Sequence, residues 1–375
     1  MSRSLILDSL EIRNFRAFQH LRIERLGRVN LVTGKNNVGK TCLLEALWLY
    51  ARRGEPTQIW PSLQARDEVG DLPREDSPDT TESWFEPLRY LFYGREDVRE
   101  HPIPIQIGPV GSQEKYFSME MAWYIEQVGE DSRRFLRRLQ PEDNDAVEPS
   151  VPGLWIRLGR SEFSYPLQRP SVFVRYLRFP DEFKALRGLL VPANGLDRMQ
   201  TGRLWDSIAL TPQEEDLLAV LQIITPVERI SFVESQRRLR ERIPMARING
   251  LASPIPLRHL GEGMNRLLGI ALALVNAEDG LLLIDEIESG LHYSVQPALW
   301  RIVFAAARRL NVQVFATTHS WDCIEGFQRA ASEDAQAEGL LISLRETRDR
   351  SGEIQAVLFD EHELGVATRQ QIEVR

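Results

Sequence analysis

VNLVTGKNNVGKTCLLEALWLYARR, residues 29–53, decides the fold. VNLVT at 29–33 is a short apolar run of the kind a sheet buries on both faces, and it stops at Gly34. Residues 34–41 read GKNNVGKT, which satisfies G-x-x-x-x-G-K-[ST]. From Thr41 onward, Leu43, Leu44, Leu47, Leu49 and Tyr50 recur at helical spacing, until Gly54 and Pro56 end the helix. Strand, glycine loop and helix in that order make a phosphate cradle. Gly34 and Gly39 let the backbone bend so that successive N–H groups point inward, and Lys35, Asn36, Asn37 and Val38 complete the loop. The helix adds its positive N-terminal end. Lys40 supplies a mobile ammonium to the β- and γ-phosphates of ATP, and Thr41 a hydroxyl for Mg²⁺. A chance match in a glycine turn would lack the flanking strand and helix.

A second apolar run, LLLID at 281–285, ends in Asp285 and Glu286. Asp285 is placed to hold the Mg²⁺ shell, and Glu286, one residue on, to orient or deprotonate an attacking water. An acidic turn after a core strand is common, so the phosphate loop upstream carries much of this reading. VQVFATTHS brings a third buried strand to its end at His319, 33 residues after Glu286. Strand C-termini border the ligand crevice of an open α/β sheet, so His319 can reach a γ-phosphate there. LGEGMNRLLGIALAL at 260–274 opens an apolar helix with two glycines, a helix start suited to an anion.

The rest of the chain is less specific. At 375 residues it fits one large domain or two lobes, and 43% hydrophobic content suffices for a core. A net charge of −8 is a poor footprint for a nucleic-acid binder. Only Cys42 and Cys323 are present, which excludes a disulfide framework or a cysteine metal site, and six scattered histidines show no ligand spacing. The opening MSRSLILDSLEIRNF is broken by Asp8, Glu11 and Arg13, so no signal peptide is expected, no run approaches a membrane span, and a cytoplasmic protein is expected. Residues 64–83 hold seven acidic residues against Arg66 and Arg74 and read as an exposed loop. Residues 103–178 alternate like antiparallel strands, interrupted by an acidic loop at 141–153. Thr211-Pro212-Gln213-Glu214 predicts a helix start capped by the Thr211 hydroxyl, with a strand over 227–233 and a helix over 295–310. A strand pair is expected around Asp349–Gly352 and a short helix from Glu361.

Phosphate loop, LGEGM segment, DE strand followed by ESGLH, and strand-end histidine stand in the order of ABC-type ATPases. With LEIRNFRAF at the start, the chain resembles the branch containing the SMC, RecF and OLD (overcoming lysogenization defect) ATPases, often called bacterial AAA family ATPases. The likeness covers residues 5–53 and 255–325. It implies an α/β fold: an ABC-type P-loop NTPase head with a mixed sheet, formed by 1–54 and 227–375, plus an inserted antiparallel β and helical lobe over 55–226. It implies a homodimer or higher oligomer that sandwiches ATP. Gly34, Asn36, Asn37, Gly39, Lys40 and Thr41 would hold the nucleotide, with Asp285, Glu286 and His319 completing that site. Gly261, Glu262 and Gly263 would meet the γ-phosphate from the other protomer, Ser289 and Gly290 would lie at the seam, and Arg16 would lie near the phosphates.

Departures accompany the likeness. The usual Ser-Gly-Gly of the signature is Gly261-Glu262-Gly263, leaving Asn265 or Arg266 to replace the serine, and no glutamine loop is identifiable beyond an early Gln58. There is no long coiled coil, and about 55 residues after His319 leave no room for a TOPRIM nuclease. The expected function is an ATP-driven switch for a separately encoded effector, such as a nuclease in phage defence or DNA maintenance. The competing reading is a RecF-like repair ATPase that binds DNA through Arg237, Arg238, Arg240, Arg242 and Arg247, with Arg133, Arg134, Arg137 and Arg138 as a second cluster. A transporter subunit fits poorly, because the NFR opening and the long insertion are foreign to it.

Overall fold

The strand before the phosphate loop is β3 (Val29–Gly34), and all six of its residues are buried. A computed structural model describes residues 4–69, 86–95, 103–128, 134–139, 150–166, 181–234, 241–347, 352–360 and 363–366. β3 lies inside a six-stranded sheet with β9 (Gly188–Val191), β13 (Leu281–Ile284), β14 (Gln313–Thr317), β15 (Gly339–Glu346) and β16 (Ile354–Phe359). The order across it is β16-β15-β3-β14-β13-β9. Every pair is parallel except β15 with β16. The carboxylate strand β13 is therefore one strand removed from β3, with β14 between them.

Helix α1 (Lys40–Ala51) leaves the loop and is clamped between two sheets. Its Leu43, Leu44 and Leu47 share one core with Leu281, Leu283 and Phe315 of the parallel sheet and with Ile12, Ile107 and Phe117 of a second sheet. Each fully buried leucine there contributes about 1.5–3 kcal/mol. That second sheet is antiparallel and seven-stranded: β1 (Leu10–Phe15), β2 (Phe18–Ile23), β4 (Ile105–Gly108), β5 (Phe117–Val128), β6 (Arg134–Arg138), β7 (Val151–Leu158) and β8 (Ser161–Pro166). On the far face of the parallel sheet, Leu282, Ile284, Val314 and Ala316 enter another core. There they meet α5 (Glu262–Asn276), α6 (Gln296–Arg309) and α7 (Trp321–Glu333). Successive residues of β13 thus point into different cores, which is why LLLI carries no polar position.

Polar side chains pin the base of the sheet. Buried Asn30 accepts from the Gly27 N–H at 2.8 Å and donates to the carbonyls of Gly27 at 2.8 Å and Val314 at 3.1 Å. Gln313 accepts from the Leu7 N–H at 3.0 Å and donates to the Leu7 carbonyl at 2.7 Å, tying the N-terminal segment to β14.

The region expected as an insertion over 55–226 is tied into the sheets and core of the rest. β9 pairs with β13, and α3 (Arg198–Asp206) and α4 (Gln213–Leu221) share the core of α5. Strands β4 to β8 in turn extend the sheet that β1 and β2 begin. Thr211 does not cap α4: the helix starts at Gln213, with Pro212 at the cap position and no side-chain cap, and the Thr211 hydroxyl donates to the Ile208 carbonyl at 2.5 Å. The strand pair expected near Asp349–Gly352 is β15 with β16. Most of the acidic segments, the stretch 172–177 and the start of the helix expected from Glu361 lie outside the described residues. No helix among the described residues is long and apolar enough to cross a membrane.

Candidate nucleotide site

Because β3, β13 and β14 are parallel, their C-terminal ends open on one edge of the sheet, and the loops after them meet there. Gly34 has φ 146° and Gly39 φ 92°, both in territory that L side chains avoid. A Cβ on Gly34 would stand 2.6 Å from the Leu344 carbonyl oxygen, and one on Gly39 2.9 Å from the Phe18 ring. Asn37 is also left-handed, at φ 66°. Lys35, Asn36 and Asn37 are exposed at the loop tip, while Val38 is buried beneath it.

The Lys40 ammonium curls back over the loop, donating to the carbonyls of Gly34 at 2.8 Å and Lys35 at 3.0 Å. Burial holds its pKa below the ordinary lysine value, against the pull of Asp285, Glu286 and Glu288. Thr41 Oγ1 lies 3.1 Å from Asp285 Oδ2. A hydroxyl beside a carboxylate is a hard oxygen pair that suits Mg²⁺, which takes one or two protein oxygens and leaves the rest of its shell to phosphate and water.

Thr317, at the end of β14, organises the two acids. Its hydroxyl donates to Asp285 Oδ1 at 2.6 Å and accepts from the Glu286 N–H at 2.8 Å. Glu286 has φ 47°, a left-handed conformation that is uncommon for a residue with a side chain. Its side chain is 42% exposed. His319 follows two residues after Thr317 and is 56% exposed, with Nδ1 3.7 Å from Glu286 Oε1 and 3.4 Å from Glu288 Oε1. Glu288 is buried and accepts from the Thr318 hydroxyl at 2.8 Å and the His319 N–H at 3.1 Å. Lys40, Thr41, Asp285, Glu286 and His319 thus converge on one edge.

Other candidates make contacts of their own. Arg16 is in the turn between β1 and β2, at φ 49°, with its side chain 4% exposed. It is committed to carboxylates, Glu45 of α1 at 2.9 Å and Glu68 at 2.8 Å. Burial raises the Glu45 pKa against the lowering influence of Arg16 and Arg66. Gly261, at φ 98°, faces open space, and Gly263 packs so that a Cβ would stand 2.7 Å from the Gly290 carbonyl oxygen. With Glu262 they sit at the start of α5, beside the Ser289–Gly290 turn. Arg266 is not free to replace the missing serine of that turn. It is buried and donates inward to the carbonyls of Pro192, Asp285 and Glu286. Gln58 lines an 870 Å³ cavity that also reaches Thr41 and Asp285.

Three contributors escaped the sequence reading: Thr317, Glu288 and the inward role of Arg266. The last left a signal, an arginine followed directly by the apolar run Leu267, Leu268, Gly269 and Ile270 in a helix buried almost all round.

Known families and proteins match parts of this sequence. The family described as "AAA ATPase domain" matches residues 6–76, which include the phosphate loop. "AAA domain, putative AbiEii toxin, Type IV TA system" matches residues 210–322, which include Gly261, Asp285, Glu286 and His319. A protein named ATP/GTP phosphatase from Helicobacter pylori is 25% identical over 348 residues, covering 85% of this chain and 87% of that one. The DNA replication and repair protein RecF of Thioalkalivibrio sulfidiphilus is 47% identical over 45 residues, 12% of each chain. Among solved structures, an SMC head bound to the C-winged helix domain of ScpA aligns over 94% of this chain and 97% of that one, at TM-score 0.47 and 12% identity.

Proposed function

We propose that this chain is an ABC/SMC-like P-loop ATPase that hydrolyses ATP and works as a dimer closed by ATP and opened by hydrolysis, passing that change to a separate effector protein. The observation that carries the reading is the half-built site. Glu286 and His319 stand 42% and 56% exposed at the strand ends, with no protein wall over them among the described residues. The same chain presents an exposed glycine turn at Gly261, with open space before it, at the positive end of a fifteen-residue helix. A second copy laying that turn over the first copy's triphosphate would complete both sites at once, as two-fold symmetry requires.

Within one protomer the roles follow from position. The loop N–H groups and Lys40 take the phosphates. Thr41 and Asp285 would hold Mg²⁺, which supplies positive charge to the phosphate oxygens when bound. Glu286 accepts the proton of the attacking water as the water oxygen displaces ADP from the γ-phosphorus. His319 donates a hydrogen bond to a γ-phosphate oxygen.

The effector is argued from economy of chemistry. The described residues hold one catalytic constellation, and no group of three or more His, Cys, Asp or Glu among them is arranged for a second metal centre. A toxin–antitoxin context in one matched family description fits such a two-protein device. A RecF-like DNA role is the alternative, supported by the short RecF match. Against it, Arg242 is paired with Asp206 and Arg247 lies 3.6 Å from Glu228, while Arg237, Arg238 and Arg240 lie outside the described residues.

Glu286→Gln tests the switch. Gln is nearly isosteric but cannot take the proton, so hydrolysis falls by about 10²–10⁴-fold while ATP affinity holds. The ATP-bound dimer then accumulates, because ATP favours the closed state alone. Light scattering with and without ATP–Mg²⁺ reads it; a mass independent of ATP refutes the dimer mechanism and leaves the ATPase assignment standing.

A further inference from the structure

Arg266 lies in the first turns of α5, and its side chain is drawn inward among apolar neighbours. Nη1 donates to the Pro192 carbonyl at 2.6 Å, just beyond the end of β9. Nη2 donates to the carbonyls of Asp285 at 2.5 Å and Glu286 at 2.9 Å, just beyond the end of β13. Burying a guanidinium is costly, and here its hydrogen bonds all go to neutral main-chain carbonyls rather than to a carboxylate. A methionine would fill the same space with less desolvation, so packing alone does not account for the charge.

What the charge does is visible at Glu286. That residue holds a strained left-handed conformation, φ 47°. Its N–H is fixed from one side by the Thr317 hydroxyl at 2.8 Å, and its carbonyl from the other by Arg266. The peptide groups on both sides of the Glu286 Cα are therefore held, and the direction of its side chain with them. We propose that Arg266 is a positioning residue for Glu286: it keeps the backbone of the catalytic carboxylate in the left-handed turn that aims it at the attacking water. The inference rests on the reading of Glu286 as the group that takes the water's proton. It has a mechanical consequence, since Arg266 rides on the helix that starts at Gly261. A shift of that helix end is transmitted to Glu286 through one side chain.

The arginine also lines a 330 Å³ surface cleft with Asn194, Asn265 and Ser289, so a small guanidinium ion has a way in if the side chain is removed. The experiment measures ATP affinity by equilibrium binding and hydrolysis by steady-state kinetics in Arg266→Ala, Arg266→Lys and Glu286→Gln. Arg266→Ala is expected to keep ATP affinity and lose about 10²-fold in kcat, the scale of an ångström-sized misplacement of a reacting group. Added ethylguanidinium is expected to restore part of that loss. A purely structural arginine would instead lower Tm while leaving kcat per folded molecule intact. Folded Arg266→Ala with wild-type kcat, or with affinity and kcat falling by the same factor, overturns the proposal. If Arg266→Ala does not fold, Arg266→Lys, which keeps a buried cation, decides by the same two numbers. The controls separate the layers. A fast Glu286→Gln removes the reading of Glu286 itself, whereas a slow Glu286→Gln beside fast Arg266 variants removes only the role of Arg266.

Discussion

Glu11 shows how a single carboxylate in this fold is held ionised. It is buried on β1, where desolvation by itself would raise its pKa, yet hydrogen bonds from Tyr116, Arg13 and His20 bring it down to about 2. Arg13 and His20 lie 2.8 Å and 2.7 Å from its Oε1, and the Tyr116 hydroxyl donates to Oε2. The same contact and burial push the Tyr116 phenol up, beyond the range of ordinary titration. A folded pKa below the unfolded one means the unfolded chain binds the proton first as pH falls. The contribution of Glu11 to stability is therefore complete above the ordinary glutamate value of 4.5 and drains away between there and about 2. Glu11→Gln should lower Tm at neutral pH and flatten the decline of Tm across that acid window, measured as thermal melts at a series of pH values. A variant whose melts fall with acid as steeply as the wild type's would show that other carboxylates dominate there. Glu45 is the opposite case, since burial in its arginine cluster raises its pKa.

At the scale of elements, the ends of β13 and β14 are matched so that one hydroxyl on β14 serves both acids after β13. Ile284 pairs with Ala316, which sets Asp285 and Glu286 beside Thr317. Thr317→Val keeps the shape and removes the hydroxyl, leaving the Glu286 N–H and one lone pair of Asp285 unmet. Each such loss costs about 1–3 kcal/mol where water cannot replace it. Thr317→Val should melt earlier and hydrolyse ATP more slowly, while Thr317→Ser should retain both; equal behaviour of the two would show that the hydroxyl is dispensable. The sequence made these strands readable but not this partnership. VNLVT, LLLID and VQVFATT are mainly apolar, with Asn30 and Gln313 the buried polar exceptions near two strand starts, so their identity and the helix after GKT followed from pattern. β9 was not readable, because GLLV is four residues long and Gly188 opens it; only pairing with β13 shows it to be part of the sheet. Thr317 hid for a related reason: as a β-branched residue it suits any strand, and its value comes from the neighbouring strand's register. The Thr211 cap failed because the helix begins one residue later than the pattern suggests, with Pro212 at its cap position and no side chain accepting there. Arg16 likewise has partners distant in sequence, a carboxylate on α1 and another at position 68. Long-range partners of this sort leave no local trace.

The molecule as a whole carries a net charge of −8, so its long-range field repels a phosphate polymer. Beyond about 8 Å that field is screened at physiological salt, and a local basic face could still bind. The three-stranded sheet β10 (Val227–Glu234), β11 (Arg242–Ile248) and β12 (Ile255–Pro256) is the place to look, since its strands bear part of the arginine-rich stretch. Two of those arginines meet acids instead of standing free: Arg242 with Asp206 and Arg247 with Glu228. Arg198, on α3 nearby, is likewise paired with Glu241 at 3.1 Å. Each neutralised arginine releases few counterions on meeting DNA, and counterion release is what drives non-specific binding. Duplex DNA is therefore expected to bind weakly with ATP–Mg²⁺ present, with a shallow dependence of log affinity on log salt. The measurement is fluorescence anisotropy of labelled duplex from low to physiological salt, on wild type and on Arg242→Glu/Arg247→Glu. A log–log slope steeper than about −3, the signature of three or more phosphate contacts, that flattens in the charge-reversed variant would overturn this expectation and move the RecF-like reading ahead of the protein effector. A flat slope in both leaves the ATP-driven change to be spent on a protein surface, as the half-built site and its facing glycine turn suggest.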